Sequence, residues 1–316
     1  MILKRGSIIN YGIPYQGSKT KIIPIIAKYF PNADHFYDLF GGGFSVTHYM
    51  LEHRKKSYKY FHYNELRSGL CELIKDAIDG KYNYQVFKPE WISRERFMRD
   101  KESNAYIKLL WSFGNDGKNY LFGKDLEQEK MTIHQAVIFN KFDEWFIKTF
   151  RFDKWPPNLD YTGKRLYIKA VSKKLKRLTN DSQRLEHLEQ LERLERLQQL
   201  ERLQQLERLQ QLQLTNLDYR QVEIKDNSVI YCDIPYFGTG EYGNLFSHKD
   251  FFDWAAVQTN PLFISEYDIK DDRFFMLKEI CHRSAFSPSG LKNIPVKERL
   301  FGNKIAYDII QRFKNV

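Results

Sequence analysis

The clearest chemical signal in this sequence is the run Asp233-Ile234-Pro235-Tyr236, which follows the apolar segment Val229–Cys232. The apolar segment predicts a buried strand, so the run would hold a carboxylate, a proline-stiffened backbone and an aromatic ring at a strand end. An exocyclic amine on a nucleobase needs this set, because its nitrogen lone pair is delocalised into the ring. Asp233 and the carbonyl of Ile234 would accept its two hydrogens, while Tyr236 stacks on the base. The alternative interpretation is a buried strand end with a capping aspartate.

A glycine turn, Gly41-Gly42-Gly43, carries the second chemical signal and follows the strand-like segment 35–40. Such a turn at the carboxyl end of a strand lets bare backbone approach a nucleoside cofactor. Asp38 can receive a cationic group there, and Glu65, at the end of the next apolar segment, stands where an acid typically binds ribose hydroxyls. The last glycine of GxGxxG is missing, which favours a ligand with ribose and no pyrophosphate.

The segment Gly12–Thr20 nearly spells a phosphate-binding loop, GxxxxGK[ST], but a serine stands where that loop requires its lysine. The lysine and the hydroxyl are therefore displaced from their phosphate and magnesium positions. ATP hydrolysis is not predicted.

Alternating elements surround these signals. The patterns predict a helix over 22–30, a strand over 35–40, a helix over 45–52 and a strand over 58–63. Strand, helix and strand with a glycine loop between them are typical of a parallel α/β sheet, and residues 215–316 return to the same kind of signal.

The middle of the chain is different in composition. Residues 164–177 carry seven Lys and Arg and no acid, which fits either a phosphate-facing surface or a charged helix face over an apolar one. Residues 183–214 form a repeat in which leucine recurs every third position. On an α-helix such a stripe slips by ~60° per step, so no single flat partner could bury it. We interpret the repeat as a length-tolerant helical insertion that survives loss of one unit, residues 200–205.

The composition favours an anionic partner. Lys and Arg number 50 and Asp and Glu 40 in 316 residues, a net charge of +10, so nucleic acid is the leading class of partner. Three cysteines without a CxxC pair exclude a disulfide framework, and His62, His134 and His248 share no metal-ligand spacing, so no metal site is predicted. Without an apolar leader or a membrane-length apolar run, we expect a cytoplasmic protein that is neither secreted nor membrane-spanning.

Four motifs agree in order with one known family: Tyr15-Gln16-Gly17-Ser18-Lys19, Asp38-Leu39-Phe40-Gly41-Gly42-Gly43-Phe44-Ser45, Asn64-Glu65 and Asp233-Ile234-Pro235-Tyr236. They resemble the N-terminal cofactor motif, the glycine-rich motif, the ribose-binding acid and the catalytic DPPY of D12 class, or Dam-like, DNA adenine-N6 methyltransferases. Residues 265–267 and 298–301 are similar to segments of the family's C-terminal half. Ile234 departs from the family in replacing the first proline of DPPY, and the leucine repeat has no assigned role there.

The resemblance implies an α/β fold, with a Rossmann-like methyltransferase core at residues 1–75 and 215–316 and an inserted α-helical target-recognition domain at 76–214. It implies methyl transfer from S-adenosylmethionine to N6 of an adenine flipped out of double-stranded DNA. The catalytic residues would be Asp233, Ile234, Pro235 and Tyr236. The cofactor contacts would be Tyr15, Lys19, Asp38, Phe40, Gly41, Gly43, Glu65, Asp218 and Asp233.

The polar loop between Trp111 and Tyr120 resembles the family's DNA-contacting loop. Asn115, Lys118 and Asn119 would reach base edges or phosphates, and Tyr120 would wedge into the stack left by the flipped base. The alternative is a surface turn with aromatic anchors. From the basic segment we add Lys173, Lys174 and Lys176 as phosphate contacts.

Two other functions stay open at this point. One is methylation of a different planar amine, such as cytosine N4, RNA adenine or a glutamine side chain. The other is a non-catalytic DNA-binding relative, against which the joint presence of Tyr15, Lys19, Glu65 and Asp233 argues. We further expect self-association through the leucine repeat, a separate cognate nuclease, and a bacterial or phage-infected cell as the setting.

Overall fold

The computed structural model describes residues 10–83, 85–175, 192–206, 209–236, 246–283 and 295–314. By its internal contacts the chain divides into two compact units. The sheet unit consists of Met1–Gly12, Gly17–Cys71 and Leu206–Val316, and the helical unit of Ile13–Gln16 and Glu72–Gln205.

Seven described strands form one sheet: β1 His35–Asp38, β2 Tyr60–Asn64, β3 Leu212–Thr215, β4 Ser228–Cys232, β5 Leu262–Glu266, β6 Phe275–Arg283 and β7 Pro295–Gly302. Their order is β3-β2-β1-β4-β5-β7-β6. The first five pair in parallel, while β7 is antiparallel to β5 and β6. The strand order reverses between β1 and β4, the place where open α/β sheets bind ligands beyond their carboxyl ends.

Eleven α-helices lie in the described residues: α1 Ile23–Ile26, α2 Ser45–His53, α3 Leu70–Ile78, α4 Arg94–Asp100, α5 Ala105–Leu110, α6 Glu127–Phe139, α7 Glu144–Phe150, α8 Tyr161–Leu175, α9 Glu192–Leu203, α10 His248–Ala256 and α11 Lys304–Lys314. The two-unit division falls within α3. None of these helices combines the length and apolarity needed to cross a membrane.

The predicted helix over 22–30 is shorter than expected. α1 ends at Ile26, a 3₁₀ turn follows over Ala27–Tyr29, and Phe30 is extended with ψ 119°. Pro31 follows Phe30, and the residue before a proline is pushed out of the helical region. The other predicted elements of this region are present as β1, α2 and β2, with ends moved by one or two residues.

Both faces of the sheet are covered by apolar side chains. On one face Phe30 packs against Phe36, Tyr231 and Phe263, with ring centroids 4.9–5.6 Å apart. The opposite face holds a second cluster, which joins strand residues to Phe251 of α10. The central parallel strands β4 and β5 are buried along their whole length, and the predicted α/β class is confirmed.

The helical unit has its own core. Fully buried side chains from five of its segments include Phe97, Trp111, Phe146, Phe150, Ile168 and Leu197. Arg196 of α9 lies in this core and donates to the carbonyls of Leu109, Leu110 and Ser112 at 3.2, 3.0 and 2.6 Å. Its guanidinium therefore binds the carbonyl groups at the C-terminal end of α5.

The leucine repeat differs from its interpretation as a length-tolerant insertion. In α9, Leu194, Leu197, Leu200 and Leu203 are all buried, with exposed fractions of 5, 0, 0 and 0%. The leucine stripe has neighbours on more than one side, because α9 packs against both α5 and α8. The repeat's last residues, 212–214, pair with β2 as part of β3, so the expected boundary at 214/215 falls inside a strand. Residues 183–191, 207 and 208 lie outside the described part.

Candidate active site

The carboxyl ends of the parallel strands bring the predicted catalytic and cofactor residues to one edge of the sheet. Asp38 ends β1 and stands opposite both Tyr63 of β2 and Tyr231 of β4. Glu65 directly follows β2, and Asp233 directly follows β4. The three carboxylates therefore share one edge at the point where the strand order reverses.

Asp38 is a buried carboxylate with one unused oxygen. Its Oδ2 accepts a hydrogen bond of 2.8 Å from the Thr47 hydroxyl of α2. No donor among the described residues reaches its Oδ1. The pKa of Asp38 is raised to about 7, mainly by burial and in part by the charges of Asp233 and Glu65, against the lowering effect of Thr47. A cation bound at Oδ1 would lower this pKa, because a nearby positive charge favours the ionised carboxylate.

The glycine turn depends on two close approaches. A Cβ on Gly41 would lie 2.2 Å from the ring of Tyr63. A Cβ on Gly12, whose φ is +75°, would lie 2.0 Å from the carbonyl oxygen of Gly43. Only glycine fits at these two positions, so the backbone of Gly43 is held against the segment that precedes the first cofactor motif.

Glu65 ties the glycine turn to the end of β2. Its Oε2 accepts from the Gly42 amide and its Oε1 from the Arg67 amide, each at 2.9 Å. Burial raises the pKa of Glu65, and these two amides oppose the change. Each carboxylate oxygen has about two acceptor sites, so one remains on each oxygen for a ribose hydroxyl.

Asn64 joins three strand ends through one side chain. Its Nδ2 donates to the carbonyls of Leu39 and Leu217 at 3.1 and 2.9 Å. Its Oδ1 accepts from the Thr215 hydroxyl at 2.8 Å and from the Leu217 amide at 3.1 Å. The ends of β1, β2 and β3 are therefore connected below the glycine turn.

Asp233 is paired on one oxygen only. Lys19 Nζ lies 2.7 Å from its Oδ2, and both side chains are largely buried. Its Oδ1 is buried and has no hydrogen-bond partner in the described part of the chain. The pKa of Asp233 is raised to about 6, mainly by burial and in part by Glu298, while Lys19 opposes the rise.

Glu298 of β7 is the functional candidate that the sequence reasoning missed. It lies 3.4 Å from Lys19 Nζ, and its Oε1 accepts a hydrogen bond from the Tyr236 hydroxyl. Burial lowers the pKa of Lys19, but Asp233 and Glu298 together raise it above its ordinary value. The available signal was the glutamate of the segment 298–301, to which no role was assigned. We call Lys19, Asp233, Tyr236 and Glu298 the buried charge cluster.

The motif around Tyr236 is fixed from several sides. The Tyr236 ring meets Tyr267 edge to face at 4.5 Å, and Lys19 Nζ lies 5.1 Å from its centroid. His248 donates from Nε2 to the Pro235 carbonyl at 2.8 Å. Ile234, which replaces a proline of the DPPY pattern, is 2% exposed and belongs to the apolar cluster around Phe251. Its side chain therefore anchors the turn by packing.

Three other predicted cofactor residues have local roles. The Phe40 ring packs against Tyr219 and Phe251. Asp218 caps the 3₁₀ turn at Tyr219–Gln221, and both of its carboxylate oxygens accept from Arg220. Tyr15 lies in the segment that belongs to the helical unit. Cofactor binding by Phe40, Asp218 and Tyr15 stays a prediction.

The loop predicted to contact DNA closes on itself through a bridge between Ser112 and Tyr120. Lys118 and Asn119 are exposed, whereas Tyr120 is 6% exposed and its hydroxyl donates to the Ile92 carbonyl at 2.7 Å. This burial weighs against Tyr120 as a wedge. The exposed aromatic ring of the loop is Phe113, at 60%. The sequence analysis assigned no role to Phe113.

The remaining DNA-contact candidates differ in their freedom to reach a partner. The Asn115 side chain donates to the Leu109 carbonyl at 3.0 Å. Lys173 and Lys174 are exposed on α8, while Lys176 lies outside the described residues. Lys164, in the same basic segment, is buried and donates to the Val137 carbonyl at 2.9 Å. Part of the basic segment is therefore structural.

Comparison with known proteins defines the class of this fold and site. The model of the D12 class N6 adenine-specific DNA methyltransferases matches residues 15–259, and the chain belongs to this family. A search of curated proteins found no match.

Membership confirms the predicted Rossmann-like methyltransferase fold and the predicted function. The protein is a site-specific DNA adenine-N6 methyltransferase that uses S-adenosylmethionine as methyl donor and DNA as substrate. Restriction-modification and base flipping are typical of the family. Within the described residues, no three His, Cys, Asp or Glu side chains group as a metal site.

Proposed function

We propose that Asp233 accepts one hydrogen of the target adenine N6 amine through Oδ1 and that the Ile234 carbonyl accepts the other. The unpartnered Oδ1 carries this proposal. A buried polar atom without a partner is costly, and an amine donor would satisfy it. Lys19, bonded to Oδ2, holds the carboxylate in one orientation and leaves Oδ1 to the amine.

The two acceptors act on the nitrogen itself. Bonds to both amino hydrogens favour a pyramidal nitrogen, whose lone pair then points away from the base ring and becomes nucleophilic. The ring of Tyr236 provides the stacking surface that holds the flipped base. The N6 proton passes to water after the new carbon–nitrogen bond has formed.

The residues at the glycine turn fit S-adenosylmethionine. The unused Oδ1 of buried Asp38 suits the ammonium group of the methionine part, and the remaining acceptor sites of Glu65 suit the ribose hydroxyls. Gly41 and Gly43 leave the backbone uncovered at this edge. When bound, S-adenosylmethionine supplies an activated methyl group on a positively charged sulfur.

For DNA recognition, we assign the helical unit, as an inserted domain, the contacts to the target. Lys118, Asn119, Lys173 and Lys174 are exposed and suited to phosphates or base edges. Phe113, rather than Tyr120, has the exposure that a wedge between bases requires. The leucines of α9 are buried within the helical unit, which weighs against self-association through this part of the repeat. We also propose that a separate cognate nuclease accompanies the protein and that the protein acts in the cytoplasm of a bacterial or phage-infected cell.

The test of the catalytic assignment is Asp233→Ala, with Asp226→Ala as the matched control. Asp226 is exposed and precedes β4, whereas Asp233 follows the same strand. We expect Asp233→Ala to lower turnover by ~10²–10³ or more, as for loss of one transition-state hydrogen-bond partner. Asp226→Ala should behave as the parent. The readout is N6-methyladenine in unmethylated mixed-sequence DNA, with DNA affinity measured in parallel, and near-parental turnover of Asp233→Ala would refute the assignment.

A further inference from the structure

The buried charge cluster contains one more acidic group than a simple ion pair needs. Lys19 Nζ lies between two carboxylates, 2.7 Å from Asp233 and 3.4 Å from Glu298. The side chains of Lys19 and Glu298 are only 8% and 6% exposed. Burying a second carboxylate beside one ammonium is unfavourable for folding, so stability alone does not account for Glu298.

Glu298 also controls the orientation of an aromatic ring. Its Oε1 accepts from the hydroxyl of Tyr236, at the far end of that side chain. The Tyr267 ring packs edge to face against Tyr236 at 4.5 Å. Anchoring the phenol oxygen limits rotation and tilting of the ring, and a stacking surface for a base requires that orientation.

We propose that Glu298 is a positioning residue for methyl transfer, fixing the Tyr236 ring through its hydroxyl and holding the Lys19 ammonium in place beside Asp233. This inference rests on the proposed roles of Asp233 and Tyr236. Glu298 itself touches neither the base nor the methyl donor in this assignment. It acts through Tyr236 and Lys19.

The charge on Glu298 has a measurable consequence for Asp233. The pKa of Asp233 is raised to about 6, mainly by burial. Glu298 contributes to this rise, and Lys19 opposes it. Removing only the charge of Glu298 should therefore lower the pKa of Asp233 and move the acid limb of activity to lower pH. The other groups facing Asp233 are Tyr236, Asp38, Tyr231, Cys232 and Tyr267. None of them changes in the variants that preserve the tyrosine.

The experiment compares Glu298→Gln, Glu298→Ala, Tyr236→Phe and the double variant Tyr236→Phe/Glu298→Ala. Glu279→Gln is the matched control, because Glu279 lies on the adjacent strand β6 and pairs with Arg299 and Lys297 outside the cluster. The readouts are the pH profile of methylation of unmethylated mixed-sequence DNA and calorimetric binding of S-adenosylmethionine alone.

Glu298→Gln keeps an acceptor for the Tyr236 hydroxyl, so it should retain activity within about tenfold while its acid limb shifts to lower pH. Glu298→Ala should lose more activity than Glu298→Gln does. The loss of activity in the double variant should be smaller, by at least about threefold, than the product of the losses in Glu298→Ala and Tyr236→Phe. The reason is that in Glu298→Ala the tyrosine hydroxyl has already lost its acceptor. Binding of S-adenosylmethionine should stay near the parental value.

An unshifted acid limb in Glu298→Gln together with multiplicative effects of Glu298→Ala and Tyr236→Phe would overturn the inference. If Asp233→Ala is impaired but the Glu298 variants match Glu279→Gln, this inference fails and the proposed function stands. If Asp233→Ala is unimpaired, the proposed function fails. Should Glu298→Ala not fold, the pH profile of Glu298→Gln decides alone.

Discussion

Lys19 and Asp233 form a direct ion pair of 2.7 Å, although Lys19 lies near the start of the chain and Asp233 follows the central strand β4. The contact joins the first cofactor motif to the catalytic motif. Lys19 was predicted as a cofactor contact, which stays a prediction, and its ammonium is bonded to the carboxylate of Asp233, the proposed acceptor for the amine. Its main effect should therefore appear in the ionisation of Asp233.

The first prediction concerns that ionisation. Lys19→Met removes the charge that lowers the pKa of Asp233, so this pKa should rise above about 6. The protonated fraction at neutral pH would then increase, and a protonated Asp233 is a weaker acceptor. We expect the acid limb of kcat/KM to move to higher pH, opposite to the shift in Glu298→Gln. Lys21→Met, an exposed lysine of the same turn, is the control. A Lys19→Met profile matching that of Lys21→Met would contradict the prediction.

The second prediction concerns binding of the methyl donor to Asp38. Asp38→Asn keeps the side-chain shape but removes the charge that would meet an ammonium group. Loss of a charge-assisted hydrogen bond costs about 1.5–3 kcal/mol, so affinity for S-adenosylmethionine should fall by at least about tenfold. Calorimetry without DNA measures this loss directly. Asp34→Asn, just before the other end of β1, should bind normally. Equal affinities of both variants would exclude Asp38 from the cofactor site.

The same carboxylate makes binding depend on pH. The pKa of unliganded Asp38 is raised to about 7, so part of the protein carries the neutral acid at pH 7. A cationic ligand prefers the ionised form, and affinity should weaken progressively as the pH falls below about 7. This dependence should be absent in Asp38→Asn.

The third prediction reverses the expectation of a tolerant repeat. Leu197 and Leu200 of α9 are fully buried, and truncating such a leucine to alanine typically costs 2–5 kcal/mol. Leu197→Ala should therefore lower the free energy of unfolding by about this amount, measured by urea denaturation. Leu166→Ala is the control, because Leu166 of α8 is 53% exposed.

Deletion of residues 200–205 should destabilise the protein more than Leu197→Ala does. It removes two core leucines together with the last turn of α9, so the helical unit should not fold normally. A deletion variant with parental stability and methylation would restore the interpretation of the repeat as a spacer.

The fourth prediction separates two aromatic residues of the DNA-contacting loop. Phe113→Ala removes an exposed ring and should weaken the binding and methylation of duplex DNA, with little change in stability. Tyr120→Phe removes the hydrogen bond to Ile92 and should cost about 1 kcal/mol of stability, with DNA binding nearly unchanged. Filter binding and thermal unfolding of both variants distinguish the roles. Weaker DNA binding in Tyr120→Phe and unchanged DNA binding in Phe113→Ala would instead support Tyr120 as the residue that wedges between the bases.

Local sequence patterns were enough to predict that Asp38 and Asp233 lie at the same edge of the sheet. Asp38 and Asp233 each follow a short apolar run, and parallel strands necessarily bring their carboxyl ends together. The unpartnered oxygens on both side chains, which carry the proposed roles, depend on distances between segments that no local pattern contains.

Other features depended on contacts distant in sequence. Glu298 was missed because its partners, Lys19 and Tyr236, come from other parts of the chain. Tyr120 was predicted as a wedge because the sequence of a loop does not show whether a tyrosine ring at its end is exposed or buried, and its burial weighs against that role. The leucine repeat was interpreted as a spacer because a single helix cannot reveal that both α5 and α8 pack around it.

The amide of Asn64 has a consequence for the thermodynamics of ligand binding. Four hydrogen bonds hold the ends of β1, β2 and β3 together through this one side chain, and Glu65 bonds directly to the glycine turn. The conformational entropy of this edge is therefore lost when the chain folds, and little of it remains to be lost when a small molecule binds. Binding of S-adenosylmethionine should consequently be accompanied by only the small heat-capacity change of the surface it covers. Asn64→Asp, which loses both donors, should make binding entropically less favourable while every group that touches the ligand is retained.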